Sequence, residues 1–208
     1  MDDYVHCLLA YLNTAPALTL SLPSLSLCVS HTLSALTCPA PEIVQVSLDV
    51  LAKLALLLPS SHSLQPTFHQ YGKGIISIVL QGVVQDFPEE SLDEVEKIVA
   101  ATISVGGGEV EGWVGDALAG VPGHVLPQSD RQAFITELQQ YVVPPTWFPS
   151  SSYSSLRKSE GIRMEADRVR YLQSPSEERI RSALRNLVRS ARRARERGRQ
   201  SRKSLGGR

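Results

Sequence analysis

The chain has 208 residues and a formal net charge of zero, with 42% hydrophobic but only 6% aromatic residues, so any core is built from Leu, Val, Ile and Ala in one or two domains. Its three cysteines, Cys7, Cys28 and Cys38, form no CxxC pair and are odd in number, which argues against a disulfide framework or a structural zinc. The zero charge hides a division: residues 151–208 hold 17 of the 21 Lys+Arg and 6 of the 21 Asp+Glu, so an acidic body carries a basic tail.

Apolar residues recur at helical spacing nearly everywhere before residue 141, and no stretch alternates for long as a strand would. A first helix is expected over 2–12, with Val5, Leu8, Leu9 and Leu12 on one side. The start, Met1-Asp2-Asp3, is acidic and lacks the basic region of a signal peptide. A second helix is expected over 23–37, broken by Pro39 and Pro41, and a third over 42–58, apolar around nearly its whole circumference and therefore deeply buried. Its apolar run, 43–58, carries Asp49 and Lys53 and reads as too short and too charged to cross a bilayer. A fourth helix is expected over 66–85. Gly72, Gly74 and Gly82 lie inside it, and close packing against a neighbour would offset what those glycines lose in helix stability.

The fifth helix, 91–105, opens on a Ser91/Glu94 capping box and ends at Gly106-Gly107-Gly108. The sixth, 109–120, places Trp113 on its apolar stripe; the seventh, 130–141, has Ser129 as its cap. Short connections rich in Pro, Gly and Ser make neighbouring helices antiparallel. Alternate helices begin near Pro23, Pro66 and Glu109, a period in the range of HEAT and armadillo repeats. The expected fold is all-α, with antiparallel helix pairs stacked as a HEAT-like solenoid over 1–141. Residues 142–173, with Pro144-Pro145, Pro149 and a serine run, read as a linker or insertion. A closing amphipathic helix is expected over 174–199, capped by Ser174 with Pro175 in its first turn and Glu177 closing the box. Ile180, Ala183, Leu184, Leu187, Val188 and Ala191 form its stripe, and Arg181, Arg185, Arg189, Arg192 and Arg193 its other face. Residues 200–208 read as disordered.

Chemistry is sparse. His62 and His69 stand seven apart without metal-ligand spacing; Gly72-Lys73-Gly74 lacks the remainder of a phosphate loop; no nucleophile elbow is present. Asp93, Glu94 and Glu96 read as a solvated helix face. No catalytic residue, metal site or cofactor is expected, and the chain reads as a non-enzyme. The arginine helix reads either as a cap on the last repeat or, through Arg189, Arg192 and Arg193, as a surface for nucleic acid or an acidic partner. No aromatic residue is interleaved there for base stacking.

The succession YGKGIISIVLQGVVQDFPEESLDEVEKIVAA at 71–101, EGWVGDALAGVP at 111–122 and QAFITEL at 132–138 resembles the C-terminal end of the importin-β superfamily of nuclear transport receptors, in its transportin-3 and importin-13 branch. ERIRSALRNLVRSARR at 178–193 is similar to the closing helix of that branch, with Asn186-Leu187 in place of an Asp-Phe pair. The likeness covers most of 1–141 and again about 174–195; 142–173 has no counterpart. It implies a C-terminal segment of an import receptor that supports recognition of basic, Arg/Ser-rich or mRNA-binding cargo, in cytoplasm and nucleus and without a membrane. It also implies an inner surface lined by the helices expected at 41–58, 91–105 and 129–141, which makes Asp93, Glu94 and Glu137 cargo-facing candidates. Ran GTPase is a partner by resemblance alone, because the repeats that bind it in the family lie in an N-terminal part with no counterpart here. The competing expectation is a free-standing helical scaffold whose basic tail binds RNA or an acidic protein.

Overall fold

Proline and glycine punctuate the helices of this chain. A computed structural model describes residues 2–61, 64–85, 87–139 and 175–205, and all the regular structure among them is helical. The elements are α1 (Asp2–Thr14), α2 (Pro16–Leu20), α3 (Leu25–Ala35), α4 (Pro41–Leu57), α5 (Leu64–Gln85), α6 (Leu92–Gly106), α7 (Val110–Ala119), α8 (Gln128–Gln139) and α9 (Pro175–Leu205), with short 3-10 turns after α4 and before α6 and α7. Every helix expected from periodicity is present. The short α2 has no counterpart in the sequence reading, because five residues are too few to show a period; Pro16 starts it in the first turn, where a missing N–H costs nothing.

Two of the expected caps are made differently. Ser91 sits at the N-cap of α6, but its hydroxyl donates back to the Pro88 carbonyl at 2.7 Å, and Glu94 faces Lys97 at 3.9 Å. The Ser91/Glu94 capping box is therefore not formed. Ser129 lies inside α8, which already begins at Gln128, and the Pro127 carbonyl accepts the N–H groups of Asp130 and Arg131 at 3.1 and 3.2 Å. The end of α6 follows expectation: Gly107 takes φ +51°, a conformation open to glycine and strained for other residues. Residues 142–173, Ser174 and His62 lie outside the described residues. The closing helix continues to Leu205, so residues 200–205 are helical where disorder was expected.

Neighbour relations fall into two series. In one, α1 packs on α4, α4 on α6, and α6 on α9; in the other, α3 packs on α5 and α5 on α7. The pairs α3–α4 and α5–α6 join the two series. One continuous apolar core results, reaching from Leu8 and Leu12 through Leu48, Phe68, Ile76 and Ile98 to Leu184 and Ala191. Buried hydroxyls are satisfied locally: those of Ser47, Thr32 and Thr102 donate to carbonyls four residues back at 2.7–2.8 Å.

Helix α4 corrects one expectation. With the turn that follows it, Pro41–Ser60 has the length and apolar composition to cross a membrane, so the shorter run 43–58 understated it. Half of that span is buried, against α1, α3 and α6, which is the environment of a central core helix.

The glycines inside α5 fit their neighbours. A Cβ on Gly72 would stand 2.5 Å from Trp113 Cζ3, and one on Gly82 would stand 2.3 Å from Phe87 Cζ. Trp113 itself is buried, its ring steeply inclined to that of His69 at a centroid distance of 5.9 Å. Gly74 differs, since its nearest neighbour, Leu33 Cδ1, is 4.0 Å away.

Candidate functional site: the arginine face of the closing helix

The residues of α9 divide cleanly by period. Ile180, Ala183, Leu184, Leu187, Val188, Ala191 and Ala194 are all buried, against α5, α6 and α8. Their spacing of three and four turns a single stripe toward the body. Arg185, Arg189, Arg192 and Arg193 stay exposed on the other side. The expected docking of the stripe is observed, as is the exposure of these four arginines; Arg181, expected to be exposed with them, is half-buried instead.

The position of α9 was not anticipated. It is the neighbour of both α6 and α8, and it takes the place beside α6 that a regular succession of pairs would give to α8. Polar contacts fix it there. Arg181 Nε donates to Glu96 Oε2, and Arg181 Nη2 lies 3.5 Å from Asp93 Oδ1. Ser190 is hydrogen-bonded to Asp130 of α8, and Arg195 Nη1 donates to the Gln85 carbonyl at 2.8 Å.

Glu96 therefore does not belong to a solvated face. Its side chain is only 8% exposed, and it is held by Arg181 at the junction of α6 and α9. Leu92, Glu96, Val99 and Ile103 share one helical stripe, a spacing that placed Glu96 among core residues; the acidic run around it concealed this. A buried carboxylate needs a charged partner, and the Arg181 guanidinium supplies it, with Nε toward Glu96 and Nη2 toward Asp93.

Between the start of α6 and the outer side of α9 lies a cleft of about 390 Å³, lined by Glu90, Leu92, Asp93, Arg185, Val188, Arg189 and Arg192. Arg185, Arg189 and Arg192 follow one another at four and three residues and so point from one face of α9. Among the described residues, Arg185 and Arg189 have no carboxylate within ion-pair distance. Leu92 and Val188 supply the apolar floor, and Glu90 and Asp93 the acidic wall.

Of the residues expected to contact partners, the fold brings Asp93, Arg189 and Arg192 to this cleft. Glu94 is half-buried beside Lys97, Glu137 is half-buried on α8, and Arg193 is exposed outside the cleft. The sequence reading did not name Arg185, Glu90, Leu92 or Val188 as partner contacts; the i, i+4, i+7 series Arg185, Arg189, Arg192 was the signal available. No group of three or more His, Cys, Asp or Glu suited to a metal occurs among the described residues. No family model matches the chain, and comparison with curated proteins and with solved structures gives no match either.

Proposed function

We propose that the chain is the C-terminal segment of a nuclear import receptor of the importin-β kind, supporting recognition and nucleocytoplasmic transport of basic, Arg/Ser-rich or mRNA-binding proteins. The observation that carries this reading is the packing of like with like. Helix α5 neighbours both α3 and α7, and α4 neighbours α6, as expected of a stack of helix pairs. The resemblance of 71–138 and 178–193 to that branch adds the direction of the reading.

In such a receptor the chemistry of cargo binding is an acidic surface attracting basic segments. Arg181 resting on Asp93 and Glu96 is an example of that chemistry inside the chain. Asp93, whose side chain is 60% exposed even while it faces Arg181, is the first candidate for cargo contact, with Glu94 and Glu137. Retention of the full chain on an immobilised Arg/Ser-rich peptide, compared with retention on structured RNA, tests the reading. Retention on the peptide that is lost in the Asp93→Asn, Glu94→Gln, Glu137→Gln variant supports it; retention on RNA alone sinks it.

A second reading is favoured by the exposed arginines of α9. A helical scaffold that presents Arg185, Arg189, Arg192 and Arg193 to solvent over a fully docked apolar stripe is a contact surface for RNA or an acidic protein.

A further inference from the structure

We infer that the cleft between α6 and α9 binds an acidic peptide that carries an apolar side chain, with the Arg185 and Arg189 guanidiniums receiving its carboxylates and Leu92 and Val188 receiving the apolar group. The inference rests on the second reading above, in that α9 is taken as a contact surface, and it names the partner.

Three observations choose this occupant. First, Arg185 and Arg189 are exposed, stand one helical turn apart, and have no ion-pair partner among the described residues, whereas Arg181 on the same face is already engaged by Glu96 and Asp93. Guanidiniums at this spacing present two planar forks to successive carboxylates along an extended segment. Second, the floor between them and α6 is apolar, made by half-buried Leu92 and the buried Val188. A purely ionic ligand would leave that floor wet; a Leu-sized side chain would cover it. Third, the opposite wall carries Glu90 and Asp93, and none of the described residues lining the cleft is aromatic. Two carboxylates repel a continuous phosphate backbone drawn into the cleft, and the described lining offers no aromatic face for a base to stack on. A peptide with discrete acids can set them on the arginine side and keep uncharged backbone against the acidic wall.

The test uses the full chain and fluorescence anisotropy. The probes are a short labelled peptide repeating Glu-Glu-Leu, the same peptide with Gln for Glu, the same peptide with Ser for Leu, and a labelled single-stranded RNA. Binding of Glu-Glu-Leu should weaken about tenfold or more with either peptide substitution, and likewise in Arg185→Gln/Arg189→Gln. The Arg179→Gln/Arg197→Gln variant, which alters exposed arginines of α9 that do not line the cleft, should bind almost as the parent does. Unchanged thermal melting of both variants would show that the fold is intact. Equal loss in the two arginine variants would overturn the cleft as the site, and equal binding of the Ser-for-Leu peptide would overturn the apolar half of the ligand. Binding of RNA without binding of any peptide would overturn the inference while leaving the second reading standing; binding of neither would remove both.

Discussion

The indole of Trp113 lies across Gly72 so closely that a methyl group at Gly72 would come within 2.5 Å of the ring. Gly106 meets the same ring from another helix, at 2.4 Å for an added Cβ. One large side chain of α7 is thus seated on bare backbone from both α5 and α6. The glycines that weaken those helices locally are what lets the three helices meet.

Gly72→Ala should therefore destabilise the fold by about 1–3 kcal/mol, the usual effect of overpacking. Gly74→Ala, two residues away with only Leu33 at 4.0 Å, should stabilise it by about 0.5–1 kcal/mol through helix propensity. Urea melts of the two variants should move in opposite directions; movement in the same direction would mean that the ring is not seated as described. Trp113→Ala should cost about 3–5 kcal/mol.

The docking of α9 can be separated from its charge. Leu184→Asp with Leu187→Asp places two carboxylates among side chains that are 1% and 2% exposed and should lower the melting temperature of the whole chain by several degrees at least. Changing Arg189, Arg192 and Arg193 to Gln should barely move it, since exposed ion pairs contribute about 0–1 kcal/mol each. A chain whose melting ignores the leucine change would not have α9 in its core.

Glu96 and Arg181 form the polar link most dependent on burial. Arg181→Ala leaves a carboxylate that is 8% exposed without its main partner and should cost about 1–3 kcal/mol. Replacing both residues by apolar ones, Glu96→Leu with Arg181→Met, should recover most of that loss. Lys73→Ala, which breaks an exposed 2.7 Å pair with Asp116, should stay within about 1 kcal/mol of the parent. Equal effects in the two pairs, measured by denaturant melts, would contradict the burial of Glu96.

Tyr4 makes stability pH-dependent in the alkaline range. Although Tyr4 is 38% exposed, partial desolvation of its phenol, and then its hydrogen bond and charge interaction with Cys28, push it above the ordinary value of 10.0. The folded chain keeps this proton to higher pH than the unfolded chain does. The contribution to stability is thus complete below the ordinary phenol value and is lost as pH rises above it. Urea melts across about pH 9 to 11 should show this fall in the parent and a shallower one in Tyr4→Phe. Identical slopes would mean that Tyr4 titrates normally.

The helices were legible because apolar periodicity is a local property. Val95, Ile98 and Val99 announce the buried side of α6 without knowledge of any other element. Caps were less legible. Ser91 and Ser129 have the right chemistry, yet Pro88 and Pro127 carbonyls stand close enough to take the relevant hydrogen bonds. The cleft was legible only by halves: the arginines of α9 are conspicuous, but their facing Leu92 and Glu90 depends on where α9 docks. Nothing local in 174–199 states that it will lie against α6 as well as α8. That choice is made by long-range packing, through Glu96 and Arg181, 85 residues apart.

That separation has a temporal side. A chain emerging from the ribosome can bring α1 through α7 together from near neighbours in sequence, but the side of α6 that holds Glu96 and Val99 stays open until residues beyond 180 have been made. Closing so long a loop is slow as well as entropically costly. The nascent body thus has an interval in which a buried-to-be carboxylate and an apolar groove face solvent together. Whatever shields that groove during synthesis must let go when α9 arrives, and α9 then completes the packing that α5, α6 and α8 began.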